Sequence, residues 1–392
     1  MSDRKLAILA VVAVVMVILA VIQSHISGGP PESEIPGYLM PAINTARVGI
    51  IVIGKGDDMV TIKQIAEQFV VTNKDNYPAR VSEINNMLTK CQEIRWSQFI
   101  TDNPANHKDL QVTEQDARSV VKFLTPEPNS TILAGVVVGK TRETGDGSYV
   151  RLLSGDKASS NKVYLAQDVP RFNSQVMNYI EQQLISCKFE DINSVTVASS
   201  NGEYTLKANQ DGKDIVLENT PEGKKLKGSE GKSVFTALTD FRFDDVVKKT
   251  SGLLFDKKFV CRLKNSVVYT IDIAQKDNQA YIICQAVFTD TVEKPKQDES
   301  QEELKKKEAK LLAWEKANEF SERHQGWIYK IADYKAKSLT KQLSDLLEDD
   351  KKPEETEKAS EPNSVEVNEL IDSLELPNTP EIEDANTTET EQ

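Results

Sequence analysis

Apolar and polar positions alternate in short blocks along most of the chain, and their period changes only a few times. The first block is unlike the rest. Residues 6–22 are seventeen residues of Leu, Ala, Ile, Val and Met with no charge and no polar face. At helical rise they cover about 26 Å, close to the hydrocarbon thickness of a bilayer. From residue 48 the pattern turns to β-branched runs of period two. Residues 48–53 end at Gly54-Lys-Gly-Asp-Asp58, residues 59–65 alternate, and residues 68–72 form a third short run. Val81, Ile84, Leu88, Cys91 and Ile94 then recur at helical spacing and predict a helix over 79–96. Strands follow at 118–124, 131–141, 148–153 and 162–166, with a helix over 173–186.

The same succession then returns. Runs at 194–198, 203–207 and 214–218 predict three strands, and Val234, Phe235, Leu238 and Phe241 predict a helix. Strands at 258–263, 267–274 and 280–288 come next, and Trp327-Ile-Tyr-Lys-Ile leads into a helix carrying Leu339, Leu343 and Leu346. Each half reads βββα–βββ–βα, and Asn161-Lys-Val-Tyr-Leu-Ala parallels Gly326-Trp-Ile-Tyr-Lys-Ile. The expectation is an α+β fold made of two tandem duplicated modules, 46–190 and 191–347, with mainly antiparallel sheets and helices packed on them. The second module carries a charged insert at 289–325, where an amphipathic helix is expected over 302–323. Its apolar stripe is Leu311, Leu312, Trp314, Ala317 and Phe320. That stripe either packs on its own module or docks a partner, and packing is the simpler expectation.

Charge sets the orientation. Arg4 and Lys5 precede the apolar run, and the next basic residue is Arg47. The run lacks a small-x-small cleavage site, so a retained signal anchor is expected over 6–22, with residues 1–5 cytoplasmic and the rest outside. Residues 23–45 contain a Pro- and Gly-rich spacer. The net charge of −13 is concentrated at the far end, where residues 349–392 hold fifteen acidic residues and three lysines, a net −12. That tail, 348–392, is expected to be disordered, with Val365, Val367, Leu370, Ile371, Leu374 and Leu376 as a cluster able to fold on a partner. No basic face suited to nucleic acid is present.

Motifs that carry chemistry are few. Gly135-Val-Val-Val-Gly139-Lys140-Thr141 resembles a phosphate-binding loop, but it is one residue short and runs into turn chemistry rather than a helix. It is expected to be a buried strand. His25, His107 and His324 share no ligand spacing, and Asp57, Asp58 and Asp146 sit in turns without an EF-type pattern. Trp327 and Tyr329, two apart on a strand, are expected to be core. Cys91, Cys187, Cys261 and Cys284 form no CxxC motif, and their even number leaves pairing open. No catalytic, cofactor-binding or metal-binding residue is singled out, and no cofactor is expected.

The anchor, Val138-Gly-Lys, Tyr149-Val-Arg, Lys162-Val-Tyr-Leu, Gly326-Trp-Ile-Tyr and Asp345-Leu-Leu together resemble a bacterial family, the domain-of-unknown-function family numbered 4340. The resemblance spans about residues 6–347 and implies a membrane-anchored envelope protein whose relatives are encoded beside gliding-motility-type ABC transporters. The resulting expectation is a non-enzymatic, single-pass protein of the bacterial inner membrane with its C-terminal part extracytoplasmic. It would act as an accessory or scaffold of an ABC-type transport complex, with a permease as partner. The alternative is an extracytoplasmic ligand-binding module with a site between the two modules.

Overall fold

The structure is a computed structural model, and it describes residues 37–40, 42–156, 158–209, 211–212, 214–293 and 300–350. The apolar run 6–22, most of the spacer and the acidic tail beyond 350 lie outside the described residues. Among the described residues no helix is long and apolar enough to cross a membrane.

The period-two runs build two large antiparallel sheets. The first begins with a meander of β1 (Ile50–Ile53), β2 (Val60–Ile65), β3 (Gln68–Val71) and β4 (Tyr77–Pro78). Helix α1 (Val81–Gln92) follows, buries Ile84, Met87 and Cys91, and leads to β5 (Trp96–Thr101). The sheet is completed by β6 (Ser119–Leu124), β7 (Ile132–Thr141), β8 (Ser148–Leu153) and β9 (Val163–Ala166), in the order β4-β3-β2-β1-β6-β7-β8-β9-β5. Register follows the apolar alternation: Ile51 lies opposite both Ile62 and Phe123, and all three are buried.

After β10 (Gln183–Ile185) come β11 (Ile192–Ser199), β12 (Gly202–Ala208), β13 (Ile215–Leu217) and β14 (Lys224–Leu226), then α2 (Gly228–Phe235). Next are β15 (Phe241–Arg242), β16 (Asp245–Lys248), β17 (Phe255–Leu263), β18 (Val267–Lys276) and β19 (Gln279–Phe288). The chain closes with α3 (Gln301–His324), β20 (Trp327–Ile331), α4 (Asp333–Leu339), α5 (Leu343–Leu346) and β21 (Leu347–Asp349). The second large sheet has the order β13-β12-β11-β17-β18-β19-β20-β16, while β10 pairs with β15 and β14 with β21. Leaving out β4, the first sheet reads strand for strand like the second. In both, a strand that follows the helix (β5 in the first, β16 in the second) takes the far edge, and the next strand returns beside the first.

One buried cluster runs through both sheets, joining Ile51, Ile62, Val136 and Tyr164 to Val195, Phe259, Ile282 and Tyr329. Each sheet also has a second buried face. On the first, Val120, Val137, Leu153 and Val163 are covered by Val112 and Ala117 of the preceding loop. On the second, Val267 and Ala286 are covered by Ala313 and Ala317 of α3.

The mainly antiparallel α+β architecture agrees with the sequence pattern, and several elements differ from it. The expected helix over 173–186 is one 3-10 turn, Val176–Tyr179, followed by β10. Tyr179, Ile180, Leu184 and Ile185 are spaced like a helix face, but pairing of β10 with β15 takes its backbone groups into a ladder. Phe241 starts β15 rather than ending a helix. The closing helix breaks after Leu339 into α4 and α5, where Thr340 has φ −122°. Strands β5 and β16, which read as a helix end and a charged connection, are edge strands of the two sheets.

Candidate functional site

The sequence motifs that suggest chemistry prove to be structural. Gly135 and Gly139 lie inside β7, whose residues 134–139 are all buried. A Cβ on Gly135 would come within 2.6 Å of the Val121 carbonyl oxygen, and one on Gly139 within 2.6 Å of Val112 Cγ1 and against the Leu110 carbonyl. These glycines permit close approach of neighbouring backbone, not of a phosphate. His107 is buried and donates from Nε2 to the Asn161 carbonyl at 2.9 Å, closing the loop that covers the first sheet. Asp57 and Asp58 sit in a 3-10 turn. Among the described residues no group of His, Cys, Asp and Glu could hold a metal ion.

The feature that stands out is α3. Ser300 and Glu303 form a capping box at its start, with Ser300 Oγ accepting from the Glu303 amide at 3.3 Å and Glu303 accepting from the Ser300 amide at 2.9 Å. Lys310 pairs with Asp290 at 2.7 Å, and Lys307 with Glu293 at 3.3 Å, fastening the helix to the strand end before it. Strand β20 pairs with β19 only along Ala280–Ile282, so the rest of β19 has no neighbour on that side. Ser321 of α3 fills part of this gap: its hydroxyl accepts from the Ala286 amide at 2.9 Å and donates to the Ala286 carbonyl at 2.6 Å. The helix thus substitutes for a strand at that edge.

The side of α3 facing the sheet is built from small residues, Ala313 at 5% and Ala317 at 1% exposure. Its larger apolar residues point elsewhere: Leu304, Leu311, Leu312 and Trp314 are between 38% and 47% exposed. The stripe read from the sequence is therefore divided. Ala317 and Phe320 pack on the second sheet, and Leu311, Leu312 and Trp314 do not.

The C-terminal end of α3 enters the core. His324 is buried, its ring 4.4 Å from that of Phe320, and its Nδ1 is 2.6 Å from the Tyr329 hydroxyl. Tyr329 reaches on to the Tyr77 hydroxyl of the first sheet at 3.4 Å, among Phe243 and Trp327. Burial pushes both phenols above their ordinary value and pushes His324 down to about 4, with Arg323 adding in the same direction. At neutral pH the imidazole is therefore uncharged. The imidazole Nδ1 and the Tyr329 hydroxyl share one hydrogen bond, and the Tyr329 and Tyr77 hydroxyls share the next. Beside His324 lies a cleft of about 380 Å³, lined also by Lys249, Asp272, Ser321, Gln325 and Trp327.

Sequence reasoning left His324 just past the expected helix over 302–323 and did not connect it with Tyr77. The two residues are 247 positions apart, and no local pattern links them. Trp327 and Tyr329 are core residues, at 9% and 0% exposure. All four cysteines are buried, and none is joined to another in a disulfide. No curated protein and no solved structure matches the chain. Residues 70–257, from β3 into β17, match the family model described as "Domain of unknown function (DUF4340)", so the family resemblance holds over that stretch.

Proposed function

We propose that this protein is a membrane-tethered scaffold of the bacterial envelope, and that it holds a partner through the outer face of α3. The observation that carries the reading is the arrangement of that helix. A helix needed only to seal β18 and β19 gains most by turning its large apolar residues inward, since burying a Leu side chain stabilises by about 1.5–3 kcal/mol. Here the seal is made with alanines, and Leu304, Leu311, Leu312 and Trp314 remain accessible. An aromatic flanked by leucines is the kind of anchor that protein interfaces use. The uncharged run 6–22 and the basic residues before it support a tether with the described residues outside the inner membrane. The family resemblance supports a permease of an ABC-type transporter as the partner. The shared strand order of the two large sheets supports an internal duplication, with α3 as the part that the second copy adds.

The test is site-specific photocrosslinking in intact cells from Leu311 and Trp314, with Lys207, on the exposed side of β12, as the control position. A crosslink to one membrane protein from both α3 positions, absent from the control and abolished by Leu311→Glu with Trp314→Glu, supports the reading. No crosslink from either α3 position refutes it.

A second reading, binding of a small molecule, is favoured by the cleft beside His324. The contact between the two sheets at Tyr77 is closed by aromatic rings, with Trp327 at 4.8 Å. A bound molecule would therefore sit beside α3 and not between the sheets. Saturable thermal stabilisation by a metabolite library, lost in Trp327→Ala, distinguishes this reading from the first.

A further inference from the structure

Two of the four cysteines, far apart in sequence, lie against each other in the core. Cys187 follows β10, in the segment that leads into β11. Cys261 sits inside β17, opposite Val195 of β11 on one side and Tyr269 of β18 on the other. The two thiols share a hydrogen bond. Cys187 is held in place by its own backbone as well: its amide and its Sγ both donate to the Leu238 carbonyl at 3.3 Å, in the turn after α2. The contact sets the two thiols apart chemically. The hydrogen bond from Cys261 draws Cys187 below its ordinary value, and the same bond together with burial pushes Cys261 up. Cys187 keeps an exposure of 6%, and Cys261 has none. For Cys91 and Cys284 burial is the cause, and it pushes both thiols up. A thiol held towards its thiolate form is the better nucleophile, and a second thiol already in contact is what closes a bridge.

We propose that Cys187 and Cys261 are a disulfide-forming pair whose bridge pins the segment between β10 and β11 to the middle of the second large sheet. The oxidant is another disulfide, of the glutathione type or of a thiol-disulfide oxidoreductase. The Cys187 thiolate attacks one sulfur of that disulfide and expels the other as a thiolate. Cys261 then gives up its proton, and its sulfur attacks Cys187 Sγ in the mixed disulfide and expels the second sulfur of the oxidant. One S–S bond forms in the protein, the S–S bond of the oxidant is lost, and the two expelled sulfurs take up the two protons. The pairing follows from the contact between the thiols and does not depend on the scaffold role of α3. An extracytoplasmic position would supply the oxidant.

The test uses the full chain in detergent micelles, equilibrated with mixtures of oxidised and reduced glutathione in sub-denaturing urea, which lets buried thiols open without unfolding the protein. Acid quenching, alkylation and mass spectrometry of the digest then read every pairing. The Cys187–Cys261 peptide should exceed each other pairing by about tenfold or more. Cys261→Ala should instead trap glutathione on Cys187, a product that misfolding does not select. The bridged protein should melt at a higher temperature than the reduced one, a rise that Cys261→Ala loses and that Cys91→Ala with Cys284→Ala keeps. Free thiols at Cys187 and Cys261 in a mixture that bridges the urea-unfolded chain overturn the proposal. So do pairings in the proportions of the unfolded chain, or a bridge that leaves Tm where it was.

Discussion

Lowering the pH from 7.5 to 5.0 destabilises this protein through His324 in particular. In the unfolded chain the imidazole titrates at its ordinary value of 6.5, and in the folded state burial holds it near 4. Between those values the unfolded state binds more protons than the folded one, so stability is full above pH 6.5 and falls as the pH falls toward 4. At 1.36 kcal/mol per pH unit the complete loss is roughly 3 kcal/mol. At pH 5.0 the linkage relation makes it about 2 kcal/mol. Phe320 and Tyr329 pack on the ring, and Arg323 carries like charge, so the imidazolium is disfavoured there. The assay is urea unfolding of the intact protein in micelles at both pH values, for the wild type and for His324→Gln. The glutamine keeps an acceptor for Tyr329 and does not titrate. The wild type should lose about 2 kcal/mol more than the variant over this range. Equal losses would mean that His324 is not held neutral by burial.

Three further outcomes follow from packing. Gly139→Ala should lower stability by about 1–3 kcal/mol in denaturant titration, because its Cβ meets Val112 Cγ1 at 2.6 Å in a fully buried strand. Ala317→Leu should cost a similar ~1–3 kcal/mol by wedging α3 away from β18 and β19, also read by denaturant titration. Leu311→Glu with Trp314→Glu should change the same measurement by no more than about 0.5 kcal/mol, since both side chains already face water, while removing the partner crosslink.

What the sequence made legible was what depends on period. The β-branched runs from residue 48 onward, the buried valines of 134–138 and the helical spacing over 302–323 are local signals, and the elements form where those signals lie. What was not legible depends on distant partners. β10 lies on a helix-like apolar spacing, and only the presence of β15 makes it a strand. β5 and β16 are short, half polar and at sheet edges, so they carry a weak alternation, yet they occupy matching positions in the two sheets. The α3 stripe was visible as a set of residues. Which of them face inward was not, because an alanine face toward the sheet and a leucine–tryptophan face away from it have the same period.

The two large sheets share a strand order, and each buries a second face, but the covers differ in kind. On the first sheet the cover is a loop that sends Val112 and Ala117 inward and leaves none of its large apolar residues exposed. Its polar groups are closed locally: His107 donates to Asn161, and Arg151 Nε donates to the Val112 carbonyl at 2.8 Å. That suffices to seal a sheet. On the second sheet the same task is done by a helix of 24 residues, twice the length of α1, whose buried residues are Ala313, Ala317 and His324, with Phe320 packed beside them. Sealing alone does not require that length, a capping box, or ion pairs to Asp290 and Glu293 that fix the helix in place. Each of those features rigidifies the outer face as much as the inner one. A rigid helix that displays Leu304, Leu311 and Trp314 holds apolar groups in a fixed array, which would spare a partner docking there the entropy cost of ordering them on contact, and the proposed docking role rests on that.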